Sequence, residues 1–126
     1  MAGEKILIVD DEKETLDILD RKLSAEKYQV IKASTGKGAM DCVRKHLPRL
    51  ILMDIVLPDM EGPEAVRLLS EDPLSKNIPV LFLSGIVSKD EEMAHSEINV
   101  GGRLYKAVSK PFLFIELLGE IRKLLE

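Results

Sequence analysis

The sequence predicts an α/β protein in which a mostly parallel sheet carries helices on both faces. Three observations lead there. Five short apolar segments recur along the chain, each followed by a stretch with helical spacing. The first, third and fourth segments are nearly continuous in Ile, Leu, Val, Met and Phe, the texture of strands buried on both faces. No linker, internal repeat or low-complexity segment interrupts the alternation.

Taken in order, the first segment is Lys5 to Val9, ending in Asp10-Asp11. Leu16, Leu19 and Leu23 then share one helix face. The second segment, Tyr28 to Ala33, contains Lys32. Gly36-Lys37-Gly38 follows Ser34-Thr35 and reads as a helix entry, because it lacks the spacing of a phosphate-loop or dinucleotide fingerprint. Leu50 to Met53 ends in Asp54, and Ile78 to Leu83 ends in Ser84. Gly101-Gly102 is expected to end a helix. The fifth segment, Leu104 to Val108, contains Lys106 and runs into Ser109-Lys110-Pro111. Pro111 is expected in the first turn of the last helix, whose apolar face is Phe114, Leu117, Leu118, Ile121 and Leu125. A lysine inside a strand marks an edge. The second and fifth strands are therefore expected outside, with the first, third and fourth between them.

The chain has 126 residues, enough for one hydrophobic core, and is expected to form one domain over 1–126. Hydrophobic residues make up 45% and charged residues 32%, which excludes a disordered chain. A net charge of −4 argues against direct binding of nucleic acid or of a membrane surface. Cys42, the one cysteine, cannot form an internal disulfide. No signal peptide and no apolar run of membrane-spanning length is present, so the expected location is the cytoplasm.

The chemistry is expected at one edge of the sheet. Ligands of open parallel sheets bind beyond the carboxyl ends of the strands. Four strand ends carry polar groups: Asp10-Asp11, Asp54, Ser84 and Lys110. Two like charges about 5 Å apart repel by roughly 3 kcal/mol at an effective dielectric near 20. Three carboxylates therefore need neutralising, and Lys110 supplies one positive charge. A divalent cation would balance the rest. Carboxylates with a backbone carbonyl and waters suit Mg²⁺, and Mn²⁺ should substitute. Such a cluster can support phosphoryl transfer to a carboxylate. Asp54 would attack in line, Asp11 (with Asp10 through water) would hold the metal, Ser84 would donate to one phosphoryl oxygen and Lys110 would pair with another.

The segments Ile6-Leu7-Ile8-Val9-Asp10-Asp11-Glu12, Met53-Asp54-Ile55-Val56-Leu57-Pro58-Asp59-Met60-Glu61-Gly62, Ser84-Gly85 and Lys110-Pro111-Phe112 resemble the signatures of response-regulator receiver domains. The resemblance runs from Lys5 to the end of the chain. It implies a doubly wound, flavodoxin-like five-stranded parallel sheet of order 2-1-3-4-5. It also implies a histidine kinase or histidine phosphotransfer protein as phosphodonor, Val56 as a backbone carbonyl ligand of the metal, and Gly85 as the small residue beside the entering phosphoryl group. Output would run through the surface of the fourth helix, fifth strand and fifth helix, to a partner or a second copy. Leu113, Ile115 and Leu124 exceed what one buried stripe there requires.

The sequence departs from the pattern in one region. The family carries an aromatic three residues before the lysine, where Ala107 stands, and the interval from Ser84 to Lys110 is longer than usual. The additions are expected around Ser88 to Asn99 and near Ala107 to Ser109. Either Tyr105, on the same strand face as Ala107, serves as the switch aromatic with extra residues after it, or the aromatic coupling is lost. The first is favoured. Two competing functions are a flavin carrier and a phosphorylation-independent interaction module. The first is disfavoured by Asp10-Asp11-Glu12, which would repel a cofactor phosphate. The second is disfavoured by the intact acids, hydroxyl and lysine.

The resemblance implies that Val56 and Ile86 flank the phosphoryl group, and both are apolar and cannot orient a water. The phosphorylated chain should therefore lose its phosphoryl group slowly. A double variant Val56→Asn, Ile86→Glu should lose it faster than the parent when decay is followed by intact mass, and equal decay would refute the idea.

Overall fold

The computed structural model describes residues 3–85 and 97–126. Its strands are β1 (Lys5–Val9), β2 (Gln29–Ala33), β3 (Leu50–Asp54), β4 (Val80–Ser84), β5 (Glu97–Val100) and β6 (Arg103–Ser109). Its helices are α1 (Lys13–Ala25), α2 (Gly36–His46), α3 (Gly62–Ser70) and α4 (Phe114–Leu125). The sheet order is β2-β1-β3-β4-β6-β5. Every pairing is parallel except β5 on β6.

Alternation along the strands divides the core in two. Ile6, Ile8, Leu50, Leu52, Leu81 and Leu83 face α1 and α4, meeting Leu16, Leu19, Leu23, Leu117, Leu118 and Ile121. Leu7, Val9, Ile51, Met53, Val80 and Phe82 face α2 and α3, meeting Ala39, Val43, Ala65, Val66 and Leu69. The doubly wound α/β class and the inner positions of β1, β3 and β4 are as the sequence indicated. So is the edge position of β2, where Lys32 pairs with Asp20 at 3.0 Å and Asp17 at 3.7 Å.

The other edge differs. Among the described residues the sheet has six strands rather than five, and the fifth apolar segment is β6, an inner strand. Gly101-Gly102 ends no helix. It is the two-residue loop of a hairpin, with φ of +60° and +90° and with Val100 paired to Arg103. Two successive left-handed residues match the twist of such hairpins, and glycine adopts them without a Cβ clash. The Asn99 side chain closes the turn by accepting the Gly102 N–H at 2.9 Å. Lys106 faces out from β6, but β5 takes the edge position beyond it.

The pairing of β6 with β4 runs unbroken through Phe82–Ala107, Leu83–Val108 and Ser84–Ser109. No residue is inserted after Ala107, contrary to expectation. Part of the extra length is β5 and its turn, while residues 86–96, where the rest was expected, lie outside the described residues. Pro111 also precedes the last helix, which starts at Phe114 with Leu113 as its cap. None of the described helices is long and apolar enough to cross a membrane.

Helix α2 shows how local chemistry sets a boundary. The Thr35 hydroxyl accepts the Gly38 N–H at 2.9 Å, satisfying one of the orphan amides of the first turn. Arg44, Lys45 and His46 crowd the last turn, where positive charge complements the helix dipole. Thr35→Ala should cost about 1 kcal/mol of stability, measured by urea unfolding with an unchanged m-value.

Candidate functional site at the carboxyl edge of the sheet

Register brings the four predicted strand ends together. Val9 lies beside Met53, Asp54 beside Leu83, and Ser84 beside Ser109. The residues at or just past those positions are Asp10, Asp11, Asp54, Ser84 and Lys110, so all five reach one edge. They line or adjoin a cavity of about 190 Å³ bounded by Asp11, Glu12, Asp54, Ile55, Val56, Gly85 and Lys110.

Asp10 is fully buried, and its two oxygens are both engaged. Oδ1 accepts the Glu12 N–H at 2.9 Å, just ahead of α1. Oδ2 accepts from the Lys110 Nζ at 2.6 Å. The ammonium also lies 3.6 Å from Asp54 Oδ1 and 3.8 Å from Glu12 Oε1. Burial opposes charge on Lys110, but the hydrogen bond to Asp10 and the charges of Asp10, Asp54 and Glu12 outweigh it, and the pKa is raised. The peptide bond between Lys110 and Pro111 is cis.

Asp54 sits in the opposite situation. Burial first, and then the charge on Asp10, push its carboxyl above the ordinary range. Lys110 and the backbone N–H groups of Ile55 and Val56 pull the other way and do not cancel the rise. One carboxylate oxygen each of Asp10, Asp11 and Asp54 falls within 4.8 Å of the others. Hard oxygen donors massed beside a single cation leave negative charge uncompensated, and this donor set fits Mg²⁺ or Mn²⁺. Asp11 is exposed and free to turn toward a metal from solvent. Asp10 is tied to Lys110 and to the amide of Glu12 ahead of α1.

The loop after Asp54 is shaped by its own backbone. The Gly62 N–H donates to the Ile55 carbonyl at 2.6 Å, Leu57 N–H donates to Met60 O at 3.2 Å, and Val56 bridges Glu61. A Cβ at Gly62 would overlap the Asp54 carbonyl oxygen, so glycine lets α3 start hard against the end of β3. The Val56 side chain is half-exposed at the cavity, while Ile86 lies outside the described residues.

Ser84 is buried at the end of β4, and its carbonyl accepts the Lys110 N–H at 2.6 Å. Tyr105 is also buried in the same layer, edge-on to Phe82 with ring centroids 5.9 Å apart and planes at 86°. Ala107 occupies the position beside Phe82. Sequence reasoning missed two contributors. Glu12 reaches the cavity and Lys110, which the acidic run at the end of β1 could have signalled. Asp59 docks on α2, a contact between residues 23 apart that no local pattern announces.

A doubly wound sheet whose carboxyl edge gathers acids, a hydroxyl and a lysine defines a receiver-type signalling module. The comparisons agree. A sequence model of the response regulator receiver domain matches residues 6–122, and the chain belongs to that family. It is 30% identical to the polar-differentiation response regulator DivK of Brucella ovis over 115 residues, covering 91% of this chain and 93% of DivK. It is 32% identical to the response regulator PleD of Caulobacter vibrioides over 110 residues, covering 87% of this chain but 24% of PleD. Among solved structures, the chemotaxis protein CheY4 of Vibrio cholerae superposes with a TM-score of 0.83 at 27% identity, covering 98% of this chain and all of that one. A CheY-like receiver domain protein from Methanospirillum hungatei gives 0.82 at 29% identity, covering 98% and 94%.

The raised carboxyl of Asp54 has a consequence for stability. Its folded pKa lies above its unfolded value, so ionisation disfavours the fold, fully so once pH exceeds the folded pKa. Asp54→Asn in metal-free buffer should gain on the order of 1 kcal/mol near neutral pH. The advantage should shrink as pH falls through the folded pKa toward the unfolded one, as read by thermal melts across pH.

Proposed function

We propose that this receiver domain, taken as residues 1–126, accepts a phosphoryl group on Asp54 from a histidine kinase or histidine phosphotransfer protein. The observation that carries the reading is the contrast between two carboxylates 44 residues apart in the chain. Asp10 spends both oxygens on Lys110 and the Glu12 amide, while Asp54 faces the cavity beside the same lysine. A carboxylate attacks phosphorus only where an incoming group can reach it in line, and of the two only Asp54 lines the cavity.

An Asp54 oxygen forms the new P–O bond as the P–N bond to the donor histidine breaks. The bonding pair leaves with the imidazole, which takes up a proton. Lys110 moves between partners: its ammonium, already within reach of Asp54, pairs with a phosphoryl oxygen and offsets the added negative charge. The Ser84 hydroxyl donates to another phosphoryl oxygen. Asp10, Asp11, Asp54 and the Val56 carbonyl would hold Mg²⁺, which when bound neutralises charge on the phosphoryl oxygens. The chain thus assists its own modification rather than turning over a separate substrate.

The response would spread through Ser84. Ser84 and Phe82 alternate onto the same face of β4, and Phe82 meets Tyr105 edge-to-face. Tyr105 is in this reading the switch aromatic, coupled through Phe82 rather than through residue 107. The output surface includes Leu104, Leu113 and Ile115, all exposed. Leu124 instead packs partly against the α1–α4 core. The fourth helix of the expected output face lies outside the described residues.

The test is incubation with acetyl phosphate and Mg²⁺, read by intact mass. The parent should gain one phosphoryl group, chelation should prevent the gain, and Asp54→Ala should show none. Lys110→Ala should label much more slowly, by about 10²-fold if the lysine supplies one electrostatic contact to the transferring group. A gain that persists in Asp54→Ala would sink the assignment, and a parent that never gains mass would favour a phosphorylation-independent interaction module.

A further inference from the structure

We propose that Asp59 is a positioning residue for the Asp54 loop, holding the segment that carries Val56 by seating both its carboxylate oxygens on the first amides of α2. The inference deepens the phosphoacceptor reading and rests on it. Asp59 Oδ1 accepts the Gly36 N–H at 2.8 Å, and Oδ2 accepts the Lys37 N–H at 3.0 Å. The positive end of the helix dipole favours a carboxylate there. Helix α2 has its own cap in Thr35, whose hydroxyl takes the Gly38 amide. Asp59 takes two first-turn amides that Thr35 leaves, and so ties the loop tip to a helix that also carries a cap of its own.

The neighbouring residue makes the same join. The Met60 side chain fills the space that a Cβ on Gly36 would need, so a larger residue there would displace it from α2. The base of the loop is held by Gly62 to Ile55 and by the Val56–Glu61 bridge. Its tip is held by Asp59 and Met60 against α2. Between them Val56 is 46% exposed, so side-chain packing does little to fix its backbone. Helix α2 is in turn fixed to the sheet by Ala39 and Val43, buried in the cluster that contains Met53. Asp59 thus ties the proposed metal-binding carbonyl to the same body that holds the strand of Asp54.

The test compares the parent chain with Asp59→Ala, Asp59→Asn and Thr35→Ala. Mg²⁺ affinity is measured by calorimetry without phosphodonor, labelling by acetyl phosphate across Mg²⁺ concentrations, and stability by thermal melts. Asp59→Ala should bind Mg²⁺ about ten-fold more weakly, the scale expected for an outer-shell partner. Its labelling should recover at saturating Mg²⁺. Asp59→Asn keeps one acceptor oxygen and should fall between. Thr35→Ala should lower the melting temperature and bind Mg²⁺ like the parent. Parent-like affinity in Asp59→Ala, or in Asp59→Asn should the alanine variant not fold, overturns the proposal. So does a Thr35→Ala variant that loses as much affinity as Asp59→Ala, because α2 stability alone would then explain both. A parent that neither binds Mg²⁺ nor labels removes the phosphoacceptor reading and this proposal together. A parent that does both beside an indifferent Asp59→Ala removes this proposal alone.

Discussion

The contact between Lys110 and Asp10 organises the site. These groups come from opposite parts of the chain and from strands separated by two others, yet their charged atoms lie 2.6 Å apart. A carboxylate buried as fully as Asp10 needs a partner, because an unpaired ion away from water costs several kcal/mol. Lys110 meets that requirement only if β1, β3, β4 and β6 stand in the observed register. The pair in turn fixes the amide of Glu12 ahead of α1 and leaves the ammonium within reach of Asp54. Fold and site share this constraint: a shifted strand would leave a buried charge without its partner.

Asp54 is where the fold accepts a local cost. Its carboxyl is pushed up by burial and by the neighbouring Asp10, while the backbone around it is closely specified. Gly62 packs against its carbonyl, Ile55 and Gly62 share a hydrogen bond, and Asp59 ties the loop tip to α2. A carboxylate held rigidly in an unfavourable field gains from a nearby cation. Places where local physics conflicts with the fold are where function is expected to sit.

The β5–β6 hairpin shows how sequence reading failed and why. Gly101-Gly102 flanked by Ile98, Val100, Leu104 and Tyr105 is a hairpin pattern as much as a helix stop. An expected run of alternating strands and helices decided for the helix stop. The added strand moved the lysine-bearing β6 inward and brought Ile98 opposite Tyr105. Tyr105 thereby became a buried residue set edge-to-face with Phe82 instead of an edge-strand aromatic.

By itself the sequence determined the α/β class, the buried character of β1, β3 and β4, and which residues stand at the strand ends. Those properties follow from side-chain period and from apolar runs, which are local. It also determined the candidate set of Asp10, Asp11, Asp54, Ser84 and Lys110, because parallel strands place their carboxyl ends on one edge whatever their order. Tertiary structure decided which carboxylate the lysine pairs with, that Asp59 reaches α2, and that a hairpin closes the sheet. Each depends on distances between residues far apart in the chain, and those distances are set by register and packing rather than by neighbours in sequence.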